Sequence, residues 1–318
     1  MKKILFWTAI AAFATISCTE TDSLDELSKN PISFDTSVGK SNRAIINGTV
    51  YPTTEIFGVT AFYKTTTGSY DYTANGKYFD NLQISNVSGT WKNSSDPYYW
   101  PPTGSLRFAA YSPYGSATYA YDATNESQFT GFSQNLSTPI DLMYAESAVD
   151  LTSGSVALTF KHALTQLYFT IATAQKGFTF QIKELSLTTL YNTGSFKTLS
   201  TPTWTTSGTT DPVFPVYSDA TGIAVNAATS TPYEFTKRLA VIPQSAAGVK
   251  IHLKFDLKIG NAVVEADQVK DVALTGTWAP NQRVKYAITI SRNGLTEITY
   301  TPTVTDWAAD TNTPVTAN

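Results

Sequence analysis

The stretch Ile251–Ile259 reads IHLKFDLKI, with an apolar residue at every odd position and a charged or polar residue at every even position. This period of two turns one face of an extended chain toward a core and the other toward water, which predicts a half-buried antiparallel strand. The same alternation recurs in 156–160, 167–171 and 286–290. No long stretch has the apolar period of a helix, so we predict an all-β protein.

The segments between these strands favour antiparallel sandwiches. They are rich in Gly, Pro, Asn, Asp and Ser, and many short strands separated by turns are typical of β-sandwiches rather than of a parallel sheet. The apolar phase shifts after Ile182, which indicates a β-bulge near Lys183 and Glu184. The Thr- and Gly-rich stretch 192–210 is expected to be a surface loop.

Length and composition limit the number of domains and the class of partner. The chain has 318 residues, of which 42% are hydrophobic and 15% charged, enough for about two domains with their own cores. We place the boundary near 161–165 and predict one β-sandwich over 44–162 and a second over 163–318. A net charge of −3 gives no positive field to attract phosphate backbones, so nucleic acid is not an expected partner.

The N-terminus has the order of a bacterial export signal. Lys2 and Lys3 precede an apolar run, 4–16, that is short for a membrane span, and the chain's single cysteine, Cys18, follows. The segment TISC at 15–18 resembles a lipoprotein signal box. We therefore predict a signal peptide over 1–17 and lipidation (palmitate) at Cys18. The acidic, polar stretch 19–29 is expected to be a tether from the membrane to the fold, and it is similar to the stretch that directs some lipoproteins to the outer face of the outer membrane.

The sequence offers little for catalysis. His252 lies on the polar face of its strand and His162 on the apolar face of another, where a structural histidine is expected. No common hydrolase, nucleotide-binding or metalloprotease motif occurs, so we predict neither an enzyme nor a cofactor. A glycosidase pair among Asp71, Asp80 and Asp96 is an unfavoured alternative.

A cluster of aromatic residues gives a second candidate activity. Tyr98, Tyr99 and Trp100 lie beside Pro and Gly, and rings on loops stack on sugars or contact protein partners. Core packing is favoured for Trp100, since Leu106 and Phe108 nearby follow strand periodicity. A surface glycan-binding lipoprotein, recognising a host or bacterial glycan or protein, therefore stays as an alternative function.

Six short segments along the chain form a recognisable series. They are YYWP at 98–101, LRFAAYSP at 106–113, DLMYA at 141–145, VALTFKHAL at 156–164, WAPN at 278–281 and YAITI at 286–290. Their order, together with the lipoprotein signal box, is similar to that of the fimbrillin family of pilus subunits and related surface lipoproteins. The resemblance covers most of the mature chain.

The resemblance implies two tandem transthyretin-like, or immunoglobulin-like, antiparallel β-sandwich domains and assembly into fimbriae for cell adhesion. It also implies strand exchange: a protease cuts after a basic residue, the first strand leaves, and a neighbouring subunit donates a strand in its place. Here the cut is expected between Arg43 and Ala44, so that 18–43 holds the tether and a removable strand, PISFDTSVG at 31–39.

The C-terminus is the candidate donor strand. Ile298, Tyr300 and Val304 share one phase, and Trp307 ends the strand. The tail Ala308–Asn318 is polar, unlike a donor strand rich in alternating apolar residues. Stalk, anchor and tip roles therefore all remain open.

Overall fold

The computed structural model describes residues 30–38, 51–121, 127–136, 138–198, 202–210, 213–228, 231–293 and 295–307. In this part of the chain the regular structure is β, apart from one turn of 3-10 helix at Ala74–Gly76, so the all-β prediction is confirmed. The strands are β1 Ser33–Val38, β2 Phe57–Lys64, β3 Lys77–Val87, β4 Thr90–Lys92, β5 Ser105–Ser112, β6 Thr118–Tyr121, β7 Ser127–Ser133, β8 Met143–Glu146, β9 Ser155–His162, β10 Thr165–Ala172, β11 Thr179–Thr188, β12 Thr193–Lys197, β13 Thr203–Ser207, β14 Phe214–Asn226, β15 Tyr233–Glu234, β16 Leu239–Val241, β17 Lys250–Ile259, β18 Ala262–Ala273, β19 Gln282–Asn293 and β20 Leu295–Asp306.

The first part of the chain forms a closed barrel in the order β1-β4-β3-β2-β5-β8-β9, which we call the barrel unit. Inward positions alternate along its strands, as on β9, where Val156, Leu158 and Phe160 are buried and their neighbours are exposed. Aromatic rings fill much of the interior. The barrel closes because β1 stands between β4 and β9.

The later part forms two packed sheets, which we call the sandwich unit. One sheet has the order β15-β10-β19-β20, with β16 also paired to β10, and the other has the order β14-β11-β17-β18. A single apolar cluster takes residues from both sheets, such as Phe169 and Tyr286 from one and Phe180 and Phe255 from the other. The strands predicted over 167–171, 251–259 and 286–290 are confirmed here as parts of β10, β17 and β19.

The predicted bulge is also present. The pairing of β11 with both of its neighbours shifts register between Ile182 and Glu184. The expectation of a loop at 192–210 is wrong, because β12 and β13 form a hairpin there with five pairs in register. Its side chains explain the difference, since Phe196 is buried and packs against Trp204 with ring centroids 5.2 Å apart.

This hairpin belongs to a third sheet that joins the two parts of the molecule. The bridging sheet, β13-β12-β7-β6, pairs β7, which lies before the predicted boundary at 162/163, with β12, which lies after it. A third apolar cluster beneath it likewise draws on both sides, with Tyr144 and Phe196 in edge-to-face contact at 4.9 Å. The two units therefore share a core, and the domain boundary itself stays a prediction.

Two strand pairs depart from the antiparallel pattern. β1 runs parallel to β9, and β10 runs parallel to β19. A period of two is common to both kinds of pairing, so the sequence could not distinguish them. Within the described ranges, no helix has the length and apolar character to cross a membrane.

Candidate functional site: the β1 seam and the C-terminal strand

The strand β1 is held unequally by its two neighbours. On one side it pairs with β9 over its whole length, from Ser33↔Ser155 to Val38↔Phe160. On the other side its register with β4 comprises the single pair Phe34↔Trp91. Among the described strand pairs of the barrel, β1 and β4 therefore share the fewest paired residues, and we call the line between them the seam.

Just before β1, the chain is tied to the aromatic segment. The amide of Ile32 donates to the carbonyl of Tyr98 at 2.8 Å, and the amide of Trp100 donates to the carbonyl of Asn30 at 3.2 Å. These two bonds fix where the strand enters the barrel, because each joins a backbone donor to a backbone acceptor at normal length.

The inner face of β1 supplies part of the barrel core. Ile32, Phe34 and Val38 are buried, and the ring of Phe34 makes edge contacts with Phe57 and Phe108 at 6.0 and 5.8 Å. Burial of a large apolar side chain contributes about 1.5–3 kcal/mol relative to exposure. Loss of β1 would therefore open an apolar slot and leave the facing edge of β9 unpaired.

The strands on either side of β1 are joined by an aromatic cluster beneath it. Tyr51 lies against Trp91 of β4 at 5.2 Å and stacks on Phe160 of β9 at 4.8 Å. The Tyr51 hydroxyl is 2.6 Å from that of Ser112, and burial raises its pKa well above the usual value. This tyrosine is thus a neutral, buried link between the two walls of the slot.

The candidate donor residues lie on β20, which forms the edge of its sheet. β20 is antiparallel to β19 along its full length, and no other described strand pairs with it. Ile298 and Tyr300 are half-buried against the sandwich core, whereas Val304 is 54% exposed. The strand also contains Pro302, a residue that sheets tolerate mainly at edges because it cannot donate to the ladder.

Trp307, unlike Val304, is not exposed at the edge of the sheet. Its side chain is buried in the core beneath the bridging sheet, and its amide donates to the carbonyl of Asn281 at 2.8 Å. The indole stacks on the imidazole of His162 with centroids 4.0 Å apart and planes 5° apart. The residue that ends the candidate donor strand is therefore anchored in its own chain.

His162 is fully buried, whereas a partly buried histidine with satisfied hydrogen bonds was expected at its position on β9. Its Nδ1 lies 2.8 Å from Asp141 Oδ1, while His162 Nε2 and Asp141 Oδ2 have no hydrogen-bond partner among the described residues. Sequence reasoning missed Asp141 as the partner. The only sequence feature that pointed to Asp141 was its place in the DLMYA segment.

The aromatic residues 98–100 divide between surface and core. Trp100 is buried, donates from Nε1 to the carbonyl of Gly154 at 3.2 Å and packs on Phe108 at 5.8 Å. The ring is therefore part of the barrel core, as the strand periodicity of Leu106 and Phe108 favoured. Tyr98 is 38% exposed and Tyr99 is half-buried, and a partner contact through them stays a prediction.

Two of the carboxylates considered for catalysis, Asp71 and Asp80, make local side-chain contacts. Asp80 pairs with Lys77 at 2.6 Å. The hydroxyl of Thr73, and then its amide at 2.8 Å, donate to Asp71 and lower the pKa of its carboxyl group. In the described part of the chain, no group of three or more His, Cys, Asp or Glu side chains could hold a metal. The predicted processing residues Cys18, Arg43 and Ala44 lie outside the described residues.

These observations define an all-β structural protein in which an N-terminal strand completes a barrel. The chain belongs to the fimbrillin-like family, whose model matches residues 43–307. The family confirms a structural surface protein rather than an enzyme, with a fimbrial or adhesive role at the cell surface.

Two solved structures share the fold. A candidate cell adhesion protein from Bacteroides uniformis is 17% identical with a TM-score of 0.53, over 87% of this chain and 99% of that one. Another from Bacteroides ovatus is 17% identical with a TM-score of 0.54, over 88% of this chain and 98% of that one. No protein of curated function matches the sequence.

Proposed function

We propose that this chain is a fimbrial subunit that reaches the cell surface as a lipoprotein, loses its lipidated N-terminal segment by cleavage, and then polymerises by exchanging β1 for an extended strand of a neighbouring subunit. Cleavage after Arg43 separates β1 from the rest of the chain, and lipidation at Cys18 carries the protein to the outer membrane. The observation that carries the proposal is the unequal pairing of β1, which is full on the side of β9 and reduced to Phe34↔Trp91 on the side of β4.

Two further observations support an exchangeable β1. The aromatic cluster of Tyr51, Trp91 and Phe160 joins the walls of the slot without β1, so the groove keeps its shape when the strand leaves. In addition, the family match begins at residue 43, after β1. An open slot with an unpaired strand edge is suited to β-augmentation by an extended segment.

The direction of exchange follows from the other terminus. β20 is an edge strand, but Trp307 fixes its end in the core through the stack on His162. The chain therefore acts as an acceptor first. Donation of its own C-terminal strand would require Trp307 to leave the core.

The test is cleavage with an arginine-specific protease, followed by electrophoresis in SDS without boiling. Ladders of SDS-resistant oligomers are expected from the cleaved protein, or from its mixture with the natural neighbouring subunits, and not from an Arg43→Ala variant. Mass spectrometry of the products checks that the cut falls between Arg43 and Ala44. Cleaved protein that remains monomeric beside its natural neighbours would contradict the proposal.

A further inference from the structure

The barrel is incompletely filled beside the first half of β1. An apolar cavity of about 240 Å³ lies there, between the entering chain and the β3-β4 hairpin. Its walls include Ile32 and Phe34 on one side, Leu82 and Ile84 of β3 on the other, and Tyr98 at the surface. The cavity is therefore continuous with the groove that β1 occupies.

The position of the cavity follows from the seam. β4 has only three residues, and its register with β1 comprises one pair, so the wall between the two strands is incomplete. Apolar side chains around a void lose dispersion contacts on the empty side. The cavity opens to the surface beside the exposed residues Lys92 and Tyr98, so it is a cleft at the incomplete wall, and its apolar lining lacks packing partners on the open side.

The neighbouring inward position of β1 is also a weak fit. Ile32, Phe34, Thr36 and Val38 share the inward phase, and of these only Thr36 is polar and half-buried. It lies opposite Leu158 of β9, which is fully buried. The chain's own first strand therefore matches its groove imperfectly at two points.

We infer that this cavity is a specificity pocket for the strand that replaces β1, and that it takes a large apolar side chain, above all an aromatic one. The inference rests on the proposed strand exchange. The occupant is assigned to the incoming strand because four consecutive residues of the departing segment, 31–34, line the cavity. A strand with a phenylalanine where this chain has Ile32 binds the groove more tightly than β1 itself.

The first test uses the intact chain. Ile32→Phe extends a buried side chain into the cavity, so a rise in Tm of about 2–4 °C is expected. Val38→Phe is the matched control, because Val38 is buried in the same inward phase as Ile32 and does not line the cavity. Overpacking should lower its Tm. Equal destabilisation by both variants would overturn the inference.

The second test separates this inference from the proposed function. Protein cleaved at Arg43 is incubated with labelled peptides of residues 30–39, carrying either Ile or Phe at position 32, and the bound label is measured. We expect the Phe peptide to be retained at least threefold more tightly. If both peptides displace β1 equally well, the pocket inference fails and strand exchange stands. If neither displaces β1, the proposed exchange fails.

A third measurement tests whether a free small molecule, rather than an incoming strand, occupies the cavity. Lys92 lies at the cavity, so decanoate, with an apolar chain and an anionic head, is a suitable probe. A rise in the Tm of the intact chain with decanoate, without any rise from Ile32→Phe, would make the cavity a small-molecule site and overturn the inference. An unchanged Tm with decanoate, together with a rise from Ile32→Phe, supports the inference.

Discussion

At the scale of single residues, Trp307 has the clearest structural role. Its indole covers His162 and fills the core that the two units share. Trp307→Ala should lower the free energy of unfolding by about 3–5 kcal/mol, the usual cost of removing a buried aromatic ring. Urea unfolding measures the change, and Trp307→Phe, which keeps an aromatic ring, should lose less. A loss below 1 kcal/mol for Trp307→Ala would contradict this role.

Tyr286 gives a prediction for alkaline pH. Burial raises its pKa to about 12, against the opposing effect of the bond it accepts from Trp278 Nε1 at 2.9 Å. The unfolded chain loses this proton near pH 10 and the folded chain only near pH 12, so stability is full below pH 10 and falls as the pH rises through 10–12. Denaturant unfolding across this range should show the fall, and Tyr286→Phe should make it shallower. An unchanged slope in the variant would contradict the assignment.

At the scale of elements, the apolar period predicted individual strands well and their partners poorly. Ile251, Leu253, Phe255 and Leu257 are buried as their alternation requires, whereas Ile259 at the end of the strand is exposed. The phase change at Ile182 marks a real bulge. The hairpin at 193–207 was missed because its threonines and glycine resemble loop composition, although Phe196 already marked a buried position. Pairing depends on contacts distant in the sequence, so the parallel register of β1 with β9 could not be derived.

The candidate site was predictable to a similar extent. The spacing of Ile32, Phe34 and Val38 indicated a first strand with a buried face, and all three are buried. That this strand closes a barrel beside an unfilled cavity depends on β4 being short and distant in sequence. The anchoring of Trp307 was not predictable either, since its partner His162 lies on β9.

The buried face of β1 should hold the strand in its groove after cleavage. Phe34→Ala removes the ring that contacts Phe57 and Phe108, so the cleaved chain should lose its first strand faster than the parent does. Mass spectrometry measures the rate at which the 18–43 peptide dissociates after cleavage. Asp35→Ala is the control, because Asp35 is exposed on the same strand and should leave the rate unchanged. Equal rates for Phe34→Ala and Asp35→Ala would show that the buried face does not hold β1.

At the scale of the whole molecule, the bridging sheet decides whether the two units unfold together. β7 pairs with β12 across the predicted boundary, and Phe196 contacts both Tyr144 and Trp204 in the shared core. A shared core makes unfolding cooperative, so calorimetry of the intact chain should show a single transition.

Phe196→Ala weakens the shared core alone and should split that transition into two. Phe255→Ala, which affects the sandwich core only, should lower the Tm of the single transition without splitting it. A single transition in the Phe196→Ala variant would mean that the strand pairing of β7 with β12, rather than the side chains beneath it, couples the barrel unit to the sandwich unit.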